Sequence, residues 1–358
     1  MISIAVLIAV TIRAQDSTTQ QKTAGDLNIS GFVEGYYSYD FNRPANNTRP
    51  GFLYSYNRHN EFNLNLGFVK AYYATDRARA NLSLAAGTYM NANYAAEPGV
   101  LKNILEANAG YKLSRKRNLW LDIGILPSHI GFETAIGKDN WTLTRSLVAE
   151  NSPYFESGAR VSYATDNGKL ALTALALNGW QRITRVDGNS LMSWGTEVYY
   201  KPSDKVTLNY STFFGTDKPD SNRLWRIYHD LYGIFQCNDK IGLTVGFDMG
   251  MEQKERKNPD YNIWFTPVCI LRYTPSSQWA LALRGEYFND KNSVIIFTGT
   301  PNGFKTTGVS LNVDYLPQKN ITLRLEGRTF VSEDDDFAKG NSATNNNTAI
   351  TFSTAVSF

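Results

Sequence analysis

The last eleven residues of the chain, Thr348 to Phe358, alternate without a break. Ile350, Phe352, Thr354, Val356 and Phe358 share one face, and Ala349, Thr351, Ser353, Ala355 and Ser357 share the other. A period of two predicts a β-strand with one apolar face. The pattern recurs upstream. In 27–41, Ile29, Gly31, Val33, Gly35, Tyr37 and Tyr39 oppose Asn28, Ser30, Glu34 and Ser38. Leu119, Leu121, Ile123 and Ile125 oppose Trp120 and Asp122, and Ile241, Leu243, Val245, Phe247 and Met249 oppose Thr244 and Asp248. Trp279, Leu281, Leu283 and Tyr287 oppose Arg284 and Glu286. Val309, Leu311, Val313 and Tyr315 oppose Ser310, Asn312 and Asp314, and Ile321, Leu323 and Leu325 oppose Thr322, Arg324, Glu326 and Arg328. One stretch departs. In 62–73, Leu64, Leu66 and Phe68 share a parity that would put Lys70 on the apolar face, so a bulge at Gly67 is expected to turn Lys70 over.

Between the alternating runs, short and long connections take turns. The short ones are Thr75–Ala78, Ser114–Asn118, Asp166–Gly168, Pro202–Lys205, Asn238–Asp239, Pro275–Ser277 and Pro317–Asn320, all built from turn-forming residues. The long ones are near 42–60, 91–102, 127–152, 181–190, 216–224, 252–259, 290–303 and 333–347. Fifteen connections give sixteen strands, with both ends of the sheet on the short-turn side. A β-sandwich could share the alternation. An apolar strand ending the chain on Phe358 favours closure, because an open apolar edge invites aggregation. The expected fold is all-β: a transmembrane antiparallel up-and-down barrel of about sixteen strands, with short periplasmic turns and long external loops. At ~4.8 Å between strands and ~40° tilt such a barrel is roughly 30 Å across, wide enough for a water-filled lumen.

Composition fits this picture. Among 358 residues, 42% are hydrophobic and mean hydropathy is −0.35, yet no apolar run past residue 14 is long enough for a membrane helix. Aromatic residues make up 13%, enough for two interfacial girdles. The net charge of +3 comes without a basic block, so a nucleic-acid partner is not expected. Residues 1–14 read as an export signal, 15–26 as a polar leader and 27–358 as the barrel. Cys237 and Cys269 fall on strands separated by a third, too far apart for a disulfide, and are expected to be free.

The polar faces carry the candidate chemistry. Parity places Glu34, Glu106, Asp122, Glu156, Glu197, Asp230, Asp248, Glu286, Asp314 and Glu326 toward the lumen. Lys70, Arg79, Lys112, Arg160, Arg226, Arg272, Arg284, Arg324 and Arg328 face them. Such near balance predicts weak ion preference unless the signs segregate. The longest connection, Pro127–Pro153, contains the apolar anchors Phe132, Trp141 and Leu147, which need a surface to pack on. It is expected to fold into the lumen and set the narrowest point through Glu133, Lys138, Asp139, Arg145 and Glu150, which would meet Arg160, Arg284, Arg324 and Arg328. Catalysis has little support: His59, His129 and His229 are scattered, and no hydrolase, zinc or phosphate-loop motif is present. The acidic run Glu333–Asp336 reads as a solvated loop or a weak surface cation site, and no cofactor or metal is expected.

Four further segments carry a resemblance. Ser30–Asp40 (SGFVEGYYSYD), Gly87–Tyr94 (GTYMNANY), Leu126–Glu133 (LPSHIGFE) and Asn151–Gly158 (NSPYFESG) resemble, in order and spacing, the OmpL-like β-barrel porins of Bacteroidetes-type outer membranes. The closing strand resembles the signal by which outer-membrane barrels are read for insertion, with Phe352, Val356 and Phe358 as its apolar row. The resemblance implies an outer-membrane pore for small hydrophilic solutes or ions and supplies no catalytic residues. Expected partners are the lipid bilayer, the insertion machinery, the solutes, and two further copies of the chain in a homotrimer. The competing expectation is a closed or accessory barrel that works through its external loops.

Overall fold

The structure, a computed structural model, describes residues 25–358; the expected export signal and the leader up to residue 24 lie outside the described residues. The first eight strands are Asp26–Asp40 (β1), Phe62–Ala74 (β2), Ala78–Ala86 (β3), Ile104–Lys112 (β4), Asn118–Pro127 (β5), Phe155–Ala164 (β6), Leu170–Leu177 (β7) and Ser193–Ser203 (β8). Then come Val206–Gly215 (β9), Arg226–Gln236 (β10), Ile241–Gln253 (β11), Tyr261–Ser276 (β12), Trp279–Asp290 (β13), Phe304–Gln318 (β14) and Ile321–Ser332 (β15). A small ribbon, Phe337–Lys339 (β16) with Ser342–Thr344 (β17), sits in the last long loop, and Asn346–Ser357 (β18) completes the wall.

Fifteen neighbouring pairings and the β1–β18 pairing close a barrel of sixteen antiparallel strands, as the alternation predicts. Closure runs from Phe32 opposite Ser357 to Asp40 opposite Ala349. All seven short turns fall where the turn-forming residues stand. Val33, Val245, Leu283, Val309, Leu325, Ile350 and Phe352 are exposed on the outer face, whose natural solvent is lipid. Exposed aromatics mark both rims: Tyr73, Tyr111, Tyr273 and Trp279 near the short turns, and Phe62, Trp194 and Phe214 near the long loops.

The irregularity in β2 lies two residues before the expected bulge. Glu34 pairs with Leu66 and Gly35 with Leu64, so Asn65 is the extra residue. The consequence is the expected one: Lys70 turns inward and binds Glu106 at 2.5 Å. Asn65 suits the bulge because its amide is used twice inside, donating to Glu34 at 2.9 Å and accepting from the Tyr56 backbone at 3.1 Å. Cys237 and Cys269 are free and exposed.

Candidate functional site: the barrel lumen

The third long loop, residues 128–154, turns into the barrel. Its sequence gives it a compact form: the Ser146 hydroxyl caps a one-turn helix, Leu147–Glu150 (α1), whose Leu147 and Val148 are buried. Phe132, Trp141 and Val148 pack against Val268, Ile270 and Ala282 of the wall. Strand β11 makes room for them. Gly242, Gly246 and Gly250 recur every fourth residue on its inner face. A β-carbon would stand 2.7 Å from the Trp141 ring at Gly242 and 3.0 Å from the Phe132 ring at Gly246. At Gly250 it would overlap the Trp264 ring of β12.

Three arginines of the wall then hold the loop by its backbone. Arg284 donates to the Thr144 carbonyl at 2.6 Å and the Thr142 hydroxyl at 2.9 Å, while pairing with Glu326 at 2.8 Å. Arg324 donates to the Gly137 and Asn140 carbonyls at 2.5 and 3.0 Å and is fixed by Asp314 at 2.6 Å. Arg328 donates to the Arg145 carbonyl at 2.8 Å and to Glu286 at 2.6 Å. The carboxylates complete the grip: Glu286 accepts from Leu147 N at 2.6 Å and Glu326 from Thr144 N at 2.5 Å. These arginines and carboxylates are all buried, so each needs the others and the loop as partners.

This arrangement differs from the expected one. The five charged loop residues were expected to meet the wall arginines, but among the described residues none of the five side chains bonds to Arg160, Arg284, Arg324 or Arg328. Glu133 accepts from Ser146 N at 2.9 Å inside the loop, and burial pushes its carboxyl up from the usual range. Arg145 lies over the rings of Tyr89 and Tyr154 at 4.7 and 5.0 Å and donates to the Thr134 carbonyl at 2.8 Å. Glu150 accepts from Tyr54 N of the first loop at 2.8 Å. Only the Lys138–Asp139 pair, 2.9 Å apart, keeps its side chains about a third accessible, at 31 and 28%. A sequence shows that a loop is charged, but not whether it spends those charges on itself.

The base of the loop is anchored by a buried ion pair. His129 Nδ1 lies 2.9 Å from both oxygens of Glu156, and Nε2 lies 2.9 Å from the Thr212 carbonyl. Both nitrogens face acceptors, which calls for the imidazolium form. Burial opposes that charge, but Glu156 and the Thr212 carbonyl outweigh it and bring the imidazole to about 9. Next to it, Gly131 N donates to Asp230 at 3.2 Å. Asp230 is paired across the sheet with Asp248, which accepts from Tyr228. Glu34 is likewise enclosed, accepting from Tyr56 and Asn65 at 2.9 Å each.

The facing wall, β2 to β8, is different. Arg79 binds Asp122 through two bonds of 2.7 and 2.6 Å, and Arg160 reaches the same carboxylate at 3.3 and 3.2 Å. Arg79 also lies 4.3 Å from the Trp120 ring, with the Lys112 ammonium 6.0 Å from it. Glu197 accepts from Thr173 and Asn209 at 3.0 and 3.1 Å. The side chains of Lys70, Arg79 and Arg160 remain 31, 24 and 27% accessible.

The outer end of the lumen is covered. Leu53 and Phe52 of the first loop join Ile130 and Leu147 of the third in one apolar cluster with Phe213, Trp264, Phe288, Phe304 and Phe330 of the wall. The second and fourth loops are tied by Glu97, which accepts from Ile183 and Thr184 N at 2.9 and 3.0 Å. The run Glu333–Asp336 serves the same end: Asp334 accepts from Asn302 N, Asp336 from Thr300, and Glu333 from Lys305, each at 2.8 Å. His59 accepts from Asp40 N at 2.9 Å, and His229 meets Tyr210 at 2.8 Å on the outer surface.

A closed barrel of sixteen strands, with a lipid-facing apolar surface, short turns at one end and an inward third loop, defines a porin-type barrel of the Gram-negative outer membrane. Residues 26–358 match the profile of the beta-barrel porin-2, OmpL-like, family, and the chain belongs to that family. It is a multi-pass β-barrel of the cell outer membrane, and its family is one of porins. No curated protein matches the chain in sequence. Solved structures share the fold. The anion-selective porin from Comamonas acidovorans superposes with a TM-score of 0.60 at 11% identity, covering 94% of this chain and 100% of that one. The outer membrane channel DcaP of Acinetobacter baumannii gives 0.58 at 13% identity, covering 95 and 99%. The trimer form of OmpT from Vibrio cholerae gives 0.60 at 10% identity, covering 94 and 100%.

Proposed function

We propose that the protein lets small hydrophilic solutes or ions diffuse across the outer membrane, along a path between the third loop and the wall of β2 to β8. The observation that carries this is the partial accessibility of Lys70, Arg79 and Arg160, whose side chains face inward and are still reached by water. Lys138 and Asp139 are the loop charges whose side chains water still reaches in part. Along the accessible wall Lys70, Arg79, Lys112 and Arg160 face Glu106, Asp122 and Glu197, so a mild preference for anions is expected. Phe352, Val356 and Phe358 are proposed as the row read by the insertion machinery, and the trimer form of OmpT supports a homotrimer as the assembly to test.

The second reading is a closed or accessory barrel that works through its external loops. The interlocked outer end favours it. Single-channel recording in a planar bilayer, with the reversal potential under a salt gradient, separates the two. Stable conductance steps support diffusion; silence from folded, inserted protein supports the closed barrel. Deleting 134–146 is expected to raise the conductance, and an unchanged conductance removes the third loop as the narrow point.

A further inference from the structure

The outer surface contains a cleft of about 410 Å³ between the first and seventh loops. Its volume falls in the range of small-molecule sites. Arg49 lines it. The backbone of this arginine is fixed by a bond from its N to the Asn57 carbonyl at 2.9 Å and by the bridge between Thr48 and Arg58. Its side chain is only 2% accessible, yet its Nε has no hydrogen-bond partner, and among the described residues its guanidinium makes no hydrogen bond. The nearest carboxylate, Asp40, is 4.0 Å away. Asp40 is already occupied, accepting from Asn42 N at 2.9 Å and from the Asn347 amide at 2.9 and 2.8 Å. A buried guanidinium without acceptors is costly; its Nε is sealed off, so the acceptor the cleft can supply is one for the terminal Nη donors.

The rest of the cleft indicates what that acceptor belongs to. Phe52, Ile295, Ile296 and Phe297 give it an apolar side, and Phe297 is 84% exposed at its lip. Asp40 and Asp336 also line it, and Asp336 is held by Thr300 and Ser332. Two carboxylates near one guanidinium disfavour an anion of multiple charge, while the planar fork of arginine matches a carboxylate. We infer that this cleft binds a small organic monocarboxylate from outside the cell, with its carboxylate on Arg49 and its apolar body against Phe52 and Phe297. The site does not depend on whether the barrel conducts.

The test is calorimetric titration of the folded, detergent-solubilised protein with benzoate, benzamide and inorganic phosphate. Benzoate should bind at least about tenfold more tightly than benzamide, the loss expected when a charged acceptor becomes neutral. Arg49→Gln should weaken benzoate by a similar factor while the purified barrel keeps the heat-modifiable gel mobility of folded protein. Phe297→Ala, at an exposed position, should weaken benzoate a few-fold. Equal binding of benzoate and benzamide, no benzoate binding up to ~10 mM, or wild-type affinity in Arg49→Gln would overturn the site. Tighter binding of phosphate than benzoate would overturn the monocarboxylate assignment. Should Arg49→Gln fail to fold, Phe297→Asp decides: benzoate binding should be lost, and its retention would overturn the proposal.

Discussion

Arg79 on β3 and Arg284 on β13 both point into the barrel, and both sit beside carboxylates. Arg79 shares Asp122 with Arg160 and keeps a quarter of its side chain accessible. Arg284 is fully enclosed and divides its donors between Glu326 and the Thr142–Thr144 segment of the third loop. The same residue type is therefore a surface charge on one wall and an internal strut on the other. What separates them is whether a loop lies over the strand, and the glycines of β11 show that the wall is shaped for that loop.

Stability measurements on barrels in lipid vesicles should expose the contrast. Arg284→Ala leaves Glu286 and Glu326 buried without their common partner and is expected to cost about 3–5 kcal/mol in urea unfolding. Arg79→Ala leaves the buried Asp122 with Arg160 and is expected to cost less, about 1–2 kcal/mol. A reversed order would end the distinction between the walls. His129 comes next. Its imidazole is raised to about 9 in the folded barrel, against about 6.5 unfolded. The protonated form therefore adds stability that is complete below about pH 6.5 and disappears as pH rises through about 9, at most ~3 kcal/mol. Unfolding followed from pH 6 to 10 should show that loss in the wild type and not in His129→Gln.

Gly246→Val is a smaller perturbation. Its new side chain would press on Phe132 and Val268, for an expected cost of ~1–3 kcal/mol and a shifted loop, read as altered single-channel conductance. The smallest effect belongs to the accessible wall. Arg160→Gln should leave stability within ~1 kcal/mol and move the reversal potential toward cations. An unmoved potential in a conducting barrel would place the ion path elsewhere.

The strands, the turns and the inward direction of each alternating charge follow from period two, because one face of every strand had to meet lipid and the other water. The irregular interior was harder to read. Asn65 rather than Gly67 forms the bulge because the groups that use the Asn65 amide, the Glu34 carboxylate on β1 and the Tyr56 backbone N–H in the first loop, come from other segments. Glu133, Arg145 and Glu150 bind Ser146, the Thr134 carbonyl and Tyr54 N, contacts that depend on how the loop folds back and not on its composition. Two features nonetheless mark the packed interior. Glycine at every fourth position on the polar face of one strand marks a place where something lies close against it. The first loop, with Leu53, Tyr56 and Arg49, carries enough buried groups to be an interior element of its own.

Neighbouring strands meet through hairpins or single loops, but Ser38 and Thr351, hydrogen-bonded at 2.8 Å across the β1–β18 seam, are 313 positions apart. Loop-closure entropy makes such a contact the slowest to form. The seam therefore carries the largest loop-closure cost of any strand pairing in the wall. Until it forms, both outermost strands present unpaired N–H and C=O groups, so shutting the seam is also what removes the barrel's two open edges.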